Sequence, residues 1–218
     1  MIFIFDFDGV ILDTDLVKYN LFKYLFRKEN YKNQKKILNY HFLNQGINRK
    51  EKFKYILNKI LKKNYINYNI NKLEKKFNFL LQKRIFKSKF STGVVKSLKF
   101  LKKKNIKMFV ATGIAQQEIN LIIRKLKLKK YFSKIYGHPI KKDKIIKLIK
   151  KNEKAKNFEI YFIGDSISDL NASNKTKIVF LGRRTTLNYK ILKNNKNFIE
   201  KNIFKLVKKA YDNHYNLK

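Results

Sequence analysis

Asp6 and Asp8 follow at once on the apolar run Ile2-Phe3-Ile4-Phe5, and Asp165 and Asp169 follow on Ile160-Tyr161-Phe162-Ile163-Gly164. A carboxylate set directly after buried apolar residues is costly unless something compensates its charge. Bringing both pairs into one crevice raises the cost, since like charges at close range oppose ionisation. A hard divalent cation resolves the conflict: Mg²⁺ takes carboxylate, water and phosphate oxygens together. The pattern therefore predicts a Mg²⁺ site on Asp6, Asp8, Asp165 and Asp169, suited to phosphate chemistry. Asp13 and Asp15, a few residues on, serve equally well as N-caps or turn residues ahead of a helix.

Composition makes these positions stand out. The 218 residues carry 53 Lys+Arg against 15 Asp+Glu, a formal charge of +38. Lys outnumbers Arg 47 to 6, and Lys, Asn, Ile, Phe and Tyr, all encodable by codons of A and T alone, dominate the chain. A surface built to grip nucleic acid would favour Arg, whose fork pairs bidentately with phosphate and guanine. The charge thus reads as compositional drift, and no specific nucleic-acid partner is expected. Yet Lys is absent from residues 1–17, 108–123 and 157–174, and six of the eight Asp fall in the first and third of these gaps. The absence of Cys excludes disulfides and Cys-based zinc sites. No apolar run approaches the roughly 20 residues of a membrane span, so no membrane partner is expected. Without signal-peptide features, a cytoplasmic setting is expected.

The elements that must position the carboxylates follow from the apolar pattern. Ile2-Phe3-Ile4-Phe5 has no alternation and reads as a strand buried on both faces, as in a parallel sheet. Similar runs are Lys107-Met108-Phe109-Val110-Ala111, Ile160-Tyr161-Phe162-Ile163 and Ile178-Val179-Phe180-Leu181, with a weaker one at Ile135-Tyr136. Each ends at or near a Gly. Between them Val94, Leu98 and Leu101, then Ile119, Ile122, Ile123 and Leu126, then Ile145, Leu148 and Ile149 keep helical spacing. This alternation predicts an α/β, Rossmann-like core with a mostly parallel sheet flanked by helices. Residues 15–89 break it: they hold no convincing strand, and helices are expected at about 16–28, around Phe53, Ile56, Leu57, Ile60 and Leu61, and around Leu73, Phe77, Leu80 and Leu81. The expected organisation is a core of residues 1–14 and 90–218 with an inserted all-helical subdomain at 15–89. The Lys- and Asn-rich pieces at 62–71 and 193–197 read as loops.

Phe5-Asp6-Phe7-Asp8-Gly9-Val10 resembles motif one of the haloacid dehalogenase-like phosphatase superfamily. Val110-Ala111-Thr112-Gly113 resembles motif two, and Gly137-His138-Pro139-Ile140-Lys141-Lys142 resembles motif three. Gly164-Asp165-Ser166-Ile167-Ser168-Asp169 is similar to motif four, and the order and context of all four match. The resemblance implies that Asp6 attacks phosphorus to give an aspartyl-phosphate, and that Asp8 is general acid and then general base. It also implies that Thr112 and Gly113 hold phosphoryl oxygens, that a motif-three lysine neutralises their charge, and that Asp6, Asp165, Asp169 and the Asp8 carbonyl hold Mg²⁺. Lys141, Lys142 and Lys144 all lie at motif three; Lys142 fits the Gly-x-Pro-x-x-Lys spacing. Dehalogenases of the superfamily lack the second Asp, so Asp8 favours phosphoryl chemistry.

In this superfamily a helical insertion after motif one is a cap that selects the substrate. Gln45-Gly46-Ile47-Asn48-Arg49-Lys50-Glu51 resembles a cap loop of the subfamily of phosphoglycolate phosphatases and β-phosphoglucomutase, where it contacts the distal group of the substrate. That makes Arg49 a candidate substrate-binding residue, its alternative being an exposed Arg that opens a helix. Arg183 and Arg184, after the last clear strand, are further candidates for binding anions. The implied activity is Mg²⁺-dependent hydrolysis of a small phosphorylated metabolite, of the phosphoglycolate or sugar phosphate type. A phosphosugar mutase is the alternative within the family. A nucleic-acid-binding protein on a retired phosphatase scaffold is the alternative of another class.

Overall fold

The computed structural model describes residues 1–45, 47–63, 67–185, 188 and 198–216. The chain divides into two compact units, residues 1–13 with 90–218, and residues 14–89.

The first unit is built on a six-stranded sheet in the order β3-β2-β1-β4-β5-β6. Its strands are β1 (Ile2–Phe5), β2 (Lys107–Ala115), β3 (Lys134–His138), β4 (Ile160–Gly164), β5 (Val179–Arg183) and β6 (Phe198–Glu200). Every pairing is parallel. β1 lies in the middle because all four of its side chains are apolar and buried, which only a strand covered on both faces tolerates. Phe5 lies level with Val110 on one side and with Ile163 on the other. The sheet order changes direction at β1, and ligands of such sheets bind beyond the carboxyl ends of the strands at that point. Asp6 is the first residue beyond β1.

The helices of this unit are α5 (Val94–Lys103), α6 (Gln116–Lys125), α7 (Lys142–Asn152), α8 (Ile167–Thr176) and α9 (Ile203–Asn216). The core packs Ile2 and Ile4 of β1 with Phe109, Phe162, Ile145, Ile146 and Ile149. The strand expected to end at Ala111 continues to Ala115, with an irregular register against β3 between Ala111 and Ala115. Thr112 and Gly113 are therefore held within a strand.

The second unit is helical: α1 (Asp15–Leu25), α2 (Tyr31–Leu43), α3 (Arg49–Tyr55), a π-helical turn at Ile56–Ile60, and α4 (Asn67–Ile85). Phe22 centres its core, stacked on His41 with ring centres 4.0 Å apart and touching Phe53 and Phe77 at 5.5 and 5.3 Å. The helix expected around Phe53 to Leu61 is α3 followed by the π-helical turn. Within the expected loop at 62–71, residues 64–66 lie outside the described residues and α4 starts at Asn67. Gly46 and the expected loop at 193–197 lie outside them as well.

Candidate active site

Three strand ends build the site. Asp6 leaves β1 with its backbone N–H donating to the Ile163 carbonyl at 2.9 Å, so the ladder runs one residue beyond the strand. The chain then turns tightly. The amides of Ile11 and Leu12 both donate to the Phe7 carbonyl, at 2.8 and 3.1 Å, and Gly9 N–H donates to the Leu12 carbonyl at 2.8 Å. Gly9 takes a φ of 71°, a value that a side chain would resist, and so lets this turn form directly after Asp8.

β4 ends at Gly164, and Asp165 and Ser166 lead into α8. Asp169, in the first turn of α8, reaches back: its Oδ2 accepts from Ser166 N–H at 3.1 Å and Ser166 Oγ at 2.6 Å. Gly164 is required by this fold-back, because a Cβ there would lie 2.3 Å from Asp169 Cβ. After β3 the chain crosses the cis peptide His138–Pro139 and enters α7 at Lys142. Asp143, the next residue, pairs with Lys175 of α8 at 2.8 Å and so ties the start of α7 to α8.

Lys142 is the meeting point. Its Nζ lies 2.5 Å from Asp169 Oδ1 and 3.1 Å from Asp6 Oδ2, and only 8% of the residue is exposed. Lys141 and Lys144, the other two lysines at motif three, are exposed. One carboxylate oxygen from each of Asp6, Asp165 and Asp169 falls within 4.8 Å of the others, and all three residues are buried. Thr112 is 1% exposed, and its Oγ1 accepts from the Ile114 amide at 3.3 Å. It lies two residues beyond Val110, the partner of Phe5, and so at the same sheet edge as Asp6.

The charges of the cluster do not cancel evenly. Burial disfavours a charge on Lys142, but Asp169 and Asp6 outweigh it and hold the ammonium above its ordinary range, so it stays protonated. Burial raises the Asp6 carboxyl to about 7; Lys142 opposes this, and Asp169 and Asp8 reinforce it. The 3.1 Å contact with Lys142 by itself would hold Asp6 ionised. Desolvation is the larger effect, and the like charges of Asp169 and Asp8 add to it. Asp6 Oδ1 is buried and accepts no hydrogen bond.

The residues present fit a divalent cation. Asp6 offers an unmatched buried oxygen, and Asp165 a second carboxylate within reach of it. Asp169 differs from its neighbours, since Lys142 occupies its Oδ1 and Ser166 its Oδ2.

The sequence of residues 3–182 matches the family model of haloacid dehalogenase-like hydrolases. The chain belongs to that family. Solved structures agree with this fold for the hydrolase. A β-phosphoglucomutase from Clostridium difficile superposes with a TM-score of 0.75 at 22% identity, covering 100% of each chain. A predicted phosphoglycolate phosphatase from Haemophilus somnus gives 0.77 at 16% identity, covering 96% of this chain and 97% of the other. A hydrolase from Pseudomonas syringae gives 0.77 at 19%, covering 99% and 97%. At these identities the likeness is one of fold. No curated protein sequence matches the hydrolase.

Arg49 belongs to the helical unit, where it donates to Asn78 Oδ1 and lies 4.5 Å from the Phe77 ring centre. The alternative of an exposed Arg opening a helix therefore does not describe it, although it does open α3. Arg183 is 3% exposed and bound to Gly9 and Asp13, so it is no surface anion binder: a buried guanidinium needs internal partners, and it has them. Arg184 is exposed. Sequence reasoning missed Ser166, Asn188 and the link through Arg183. The Gly-Asp-Ser run alone carried a signal for the first of these. No helix among the described residues is long and apolar enough to cross a membrane.

Proposed function

We propose that the chain is a Mg²⁺-dependent phosphatase of small phosphorylated metabolites, acting through an aspartyl-phosphate on Asp6. The observation that carries this reading is the buried Asp6 carboxylate, with one oxygen unmatched and the other beside a protonated lysine. Such a carboxylate is strongly nucleophilic once ionised, and the lysine beside it suits an anionic phosphoryl group. Asp6 and Asp165 would hold Mg²⁺, with the Asp8 carbonyl. Bound there, the cation would offset repulsion between carboxylates and substrate phosphate and polarise the phosphoryl group.

In the first step an Asp6 oxygen forms a bond to phosphorus as the ester P–O bond breaks, and Asp8 gives its proton to the departing alkoxide. In the second, Asp8 takes a proton from a water that attacks phosphorus, the Asp6–phosphorus bond breaks, and inorganic phosphate leaves. Lys142 neutralises charge on the transferring group throughout, and the Thr112–Gly113 segment binds its oxygens. Asp169, with both oxygens engaged, keeps Lys142 aimed at Asp6. The helical unit selects the substrate as a cap, with Arg49 as its candidate contact.

The test is a panel of phosphorylated metabolites incubated with purified protein, with and without Mg²⁺, alongside Asp6→Asn. Phosphate release that requires Mg²⁺ and disappears in the variant is expected. Full activity in Asp6→Asn would remove Asp6 as nucleophile. A requirement for an activating bisphosphate, with phosphate returned to the sugar, would mark a mutase instead. Salt-sensitive DNA binding without any phosphatase activity would mark the retired scaffold.

A further inference from the structure

Arg183 closes β5 as a buried cation outside the catalytic cluster. Its Nη1 donates to the Gly9 carbonyl, and its Nη2 lies 3.1 Å from Asp13 Oδ2. These two acceptors bracket the turn that starts at Asp8. On the other side of Arg183, its own carbonyl accepts from Asn188 Nδ2 at 2.9 Å, and the same amide donates to the Asp165 carbonyl at 2.6 Å. Asn188 is fixed in turn by Thr185: Thr185 N–H donates to Asn188 Oδ1 at 2.7 Å, and Asn188 N–H to Thr185 Oγ1 at 3.1 Å. A continuous chain of polar contacts therefore runs from the Asp8 turn, through Arg183 and Asn188, to the Asp165 loop.

We infer that Arg183 and Asn188 are positioning residues that set the distance and orientation between the Asp8 turn and the Asp165 loop. The inference rests on the reading of Asp8 as acid and base and of Asp165 as a cation ligand. The chemistry of the brace is specific to Arg. One planar guanidinium donates to a carbonyl and a carboxylate in fixed directions, whereas a lysine ammonium is a compact point charge on a flexible stem. In a chain whose cations are Lys by 47 to 6, the one buried beside the Asp8 turn is Arg. Asp8 must hand a proton to the leaving oxygen while Asp6 attacks, and a displacement of about 1 Å in such an arrangement costs on the order of 10²-fold in rate.

The test uses Arg183→Lys, which keeps the charge, and Asn188→Ala, which cuts the link to Asp165 without stranding a charge. Hydrogen exchange in Arg183→Lys is expected to speed up at least tenfold (about an order of magnitude) at the amides of residues 9–12, with those of β1 unchanged. Unchanged exchange at residues 9–12 overturns the inference. Asn188→Ala, which acts on the Asp165 loop, is expected to raise the Mg²⁺ concentration needed for half-maximal rate about tenfold, and an unchanged requirement overturns the inference. In single turnovers at saturating Mg²⁺, Arg183→Lys is expected to release the alcohol of an alkyl phosphate on the order of 10²-fold more slowly. Release of 4-nitrophenolate, which leaves without a proton, is expected to fall by less than about threefold. A purely structural role would lower both rates alike, and that result also overturns the inference. A wild-type protein inactive on every phosphate ester, or an active Asp6→Asn, overturns the phosphatase reading instead; the exchange experiment still decides whether Arg183 holds the turn.

Discussion

Burial leaves the charge of Asp6 only partly matched: Lys142 lies beside its Oδ2, and its Oδ1 accepts no hydrogen bond. Its carboxyl is raised from 3.8 to about 7, first by desolvation, against the pull of Lys142. A carboxyl raised in the folded state favours folding most when protonated. Its contribution is complete below the ordinary carboxylate range and is lost as pH rises through about 7. The metal-free protein should therefore lose stability between pH 5.5 and 8 by about 2 kcal/mol from this group. At about 2–4 °C per kcal/mol for a chain of this size, that is several degrees of melting temperature. Mg²⁺ held there as proposed would bind the ionised form, so the melting temperature it restores should grow over the same interval. Thermal melts with and without Mg²⁺ at several pH values measure both, and Asp6→Asn should flatten both curves. Equal Mg²⁺ stabilisation at pH 5.5 and pH 8 would show that Asp6 is not where the cation acts. At this scale the sequence was most legible where a residue's placement depends on immediate neighbours, as in the buried Asp6 after four apolar residues or the buried Lys142 at the end of Gly-x-Pro-x-x-Lys. Arg183 misled because its acceptors, Gly9 and Asp13, lie some 170 positions away in the chain.

Gly164 shows how an element ending places a side chain at a distance from itself. It closes β4, and α8 folds back so closely that a Cβ would meet Asp169 Cβ at 2.3 Å and Cγ at 2.6 Å. Asp169 is fixed between Ser166 and Lys142 and has nowhere to retreat without releasing one of them. Gly164→Ala should therefore cost about 1–3 kcal/mol of stability as an overpacked site. It should also lower kcat on the order of tenfold or more, because the lysine moves with its partner. Urea unfolding and steady-state kinetics on the same preparation separate the two effects. A destabilised protein with unchanged kcat would mean that Lys142 holds its position without Asp169. β1, β2, β4 and β5 were legible as apolar runs because most of their residues are buried. α2 was not, since Ile37 and His41 are its buried residues and thirteen positions with so few leave no apolar stripe to detect. β6 is short and half-buried along its length, so it carries neither alternation nor a continuous apolar run.

On the scale of the whole molecule, charge is distributed in opposition. The chain carries +38, yet Asp6, Asp165 and Asp169 gather at one sheet edge with Lys142 as the cation among them. Under the proposed function, a phosphorylated substrate would meet a positive field at long range and a local cluster of carboxylates at the reacting centre. The two act on different kinetic constants. A long-range field raises the rate of encounter, by about 10 to 10³-fold in strongly steered cases, and is screened over roughly 10 Å at 0.1 M salt. In the proposed mechanism the chemical step belongs to the buried cluster, which is out of reach of such screening. Raising NaCl from about 20 to 300 mM should therefore lower kcat/KM for an anionic phosphate ester severalfold while kcat holds steady. The decline should steepen from a monoanionic to a more highly charged substrate, since each added charge feels the same field. A kcat that falls in parallel with kcat/KM would place the salt effect on the carboxylates and Lys142 themselves. A kcat/KM indifferent to salt would mean that the lysines outside the site play no part in capture and that their abundance is compositional throughout.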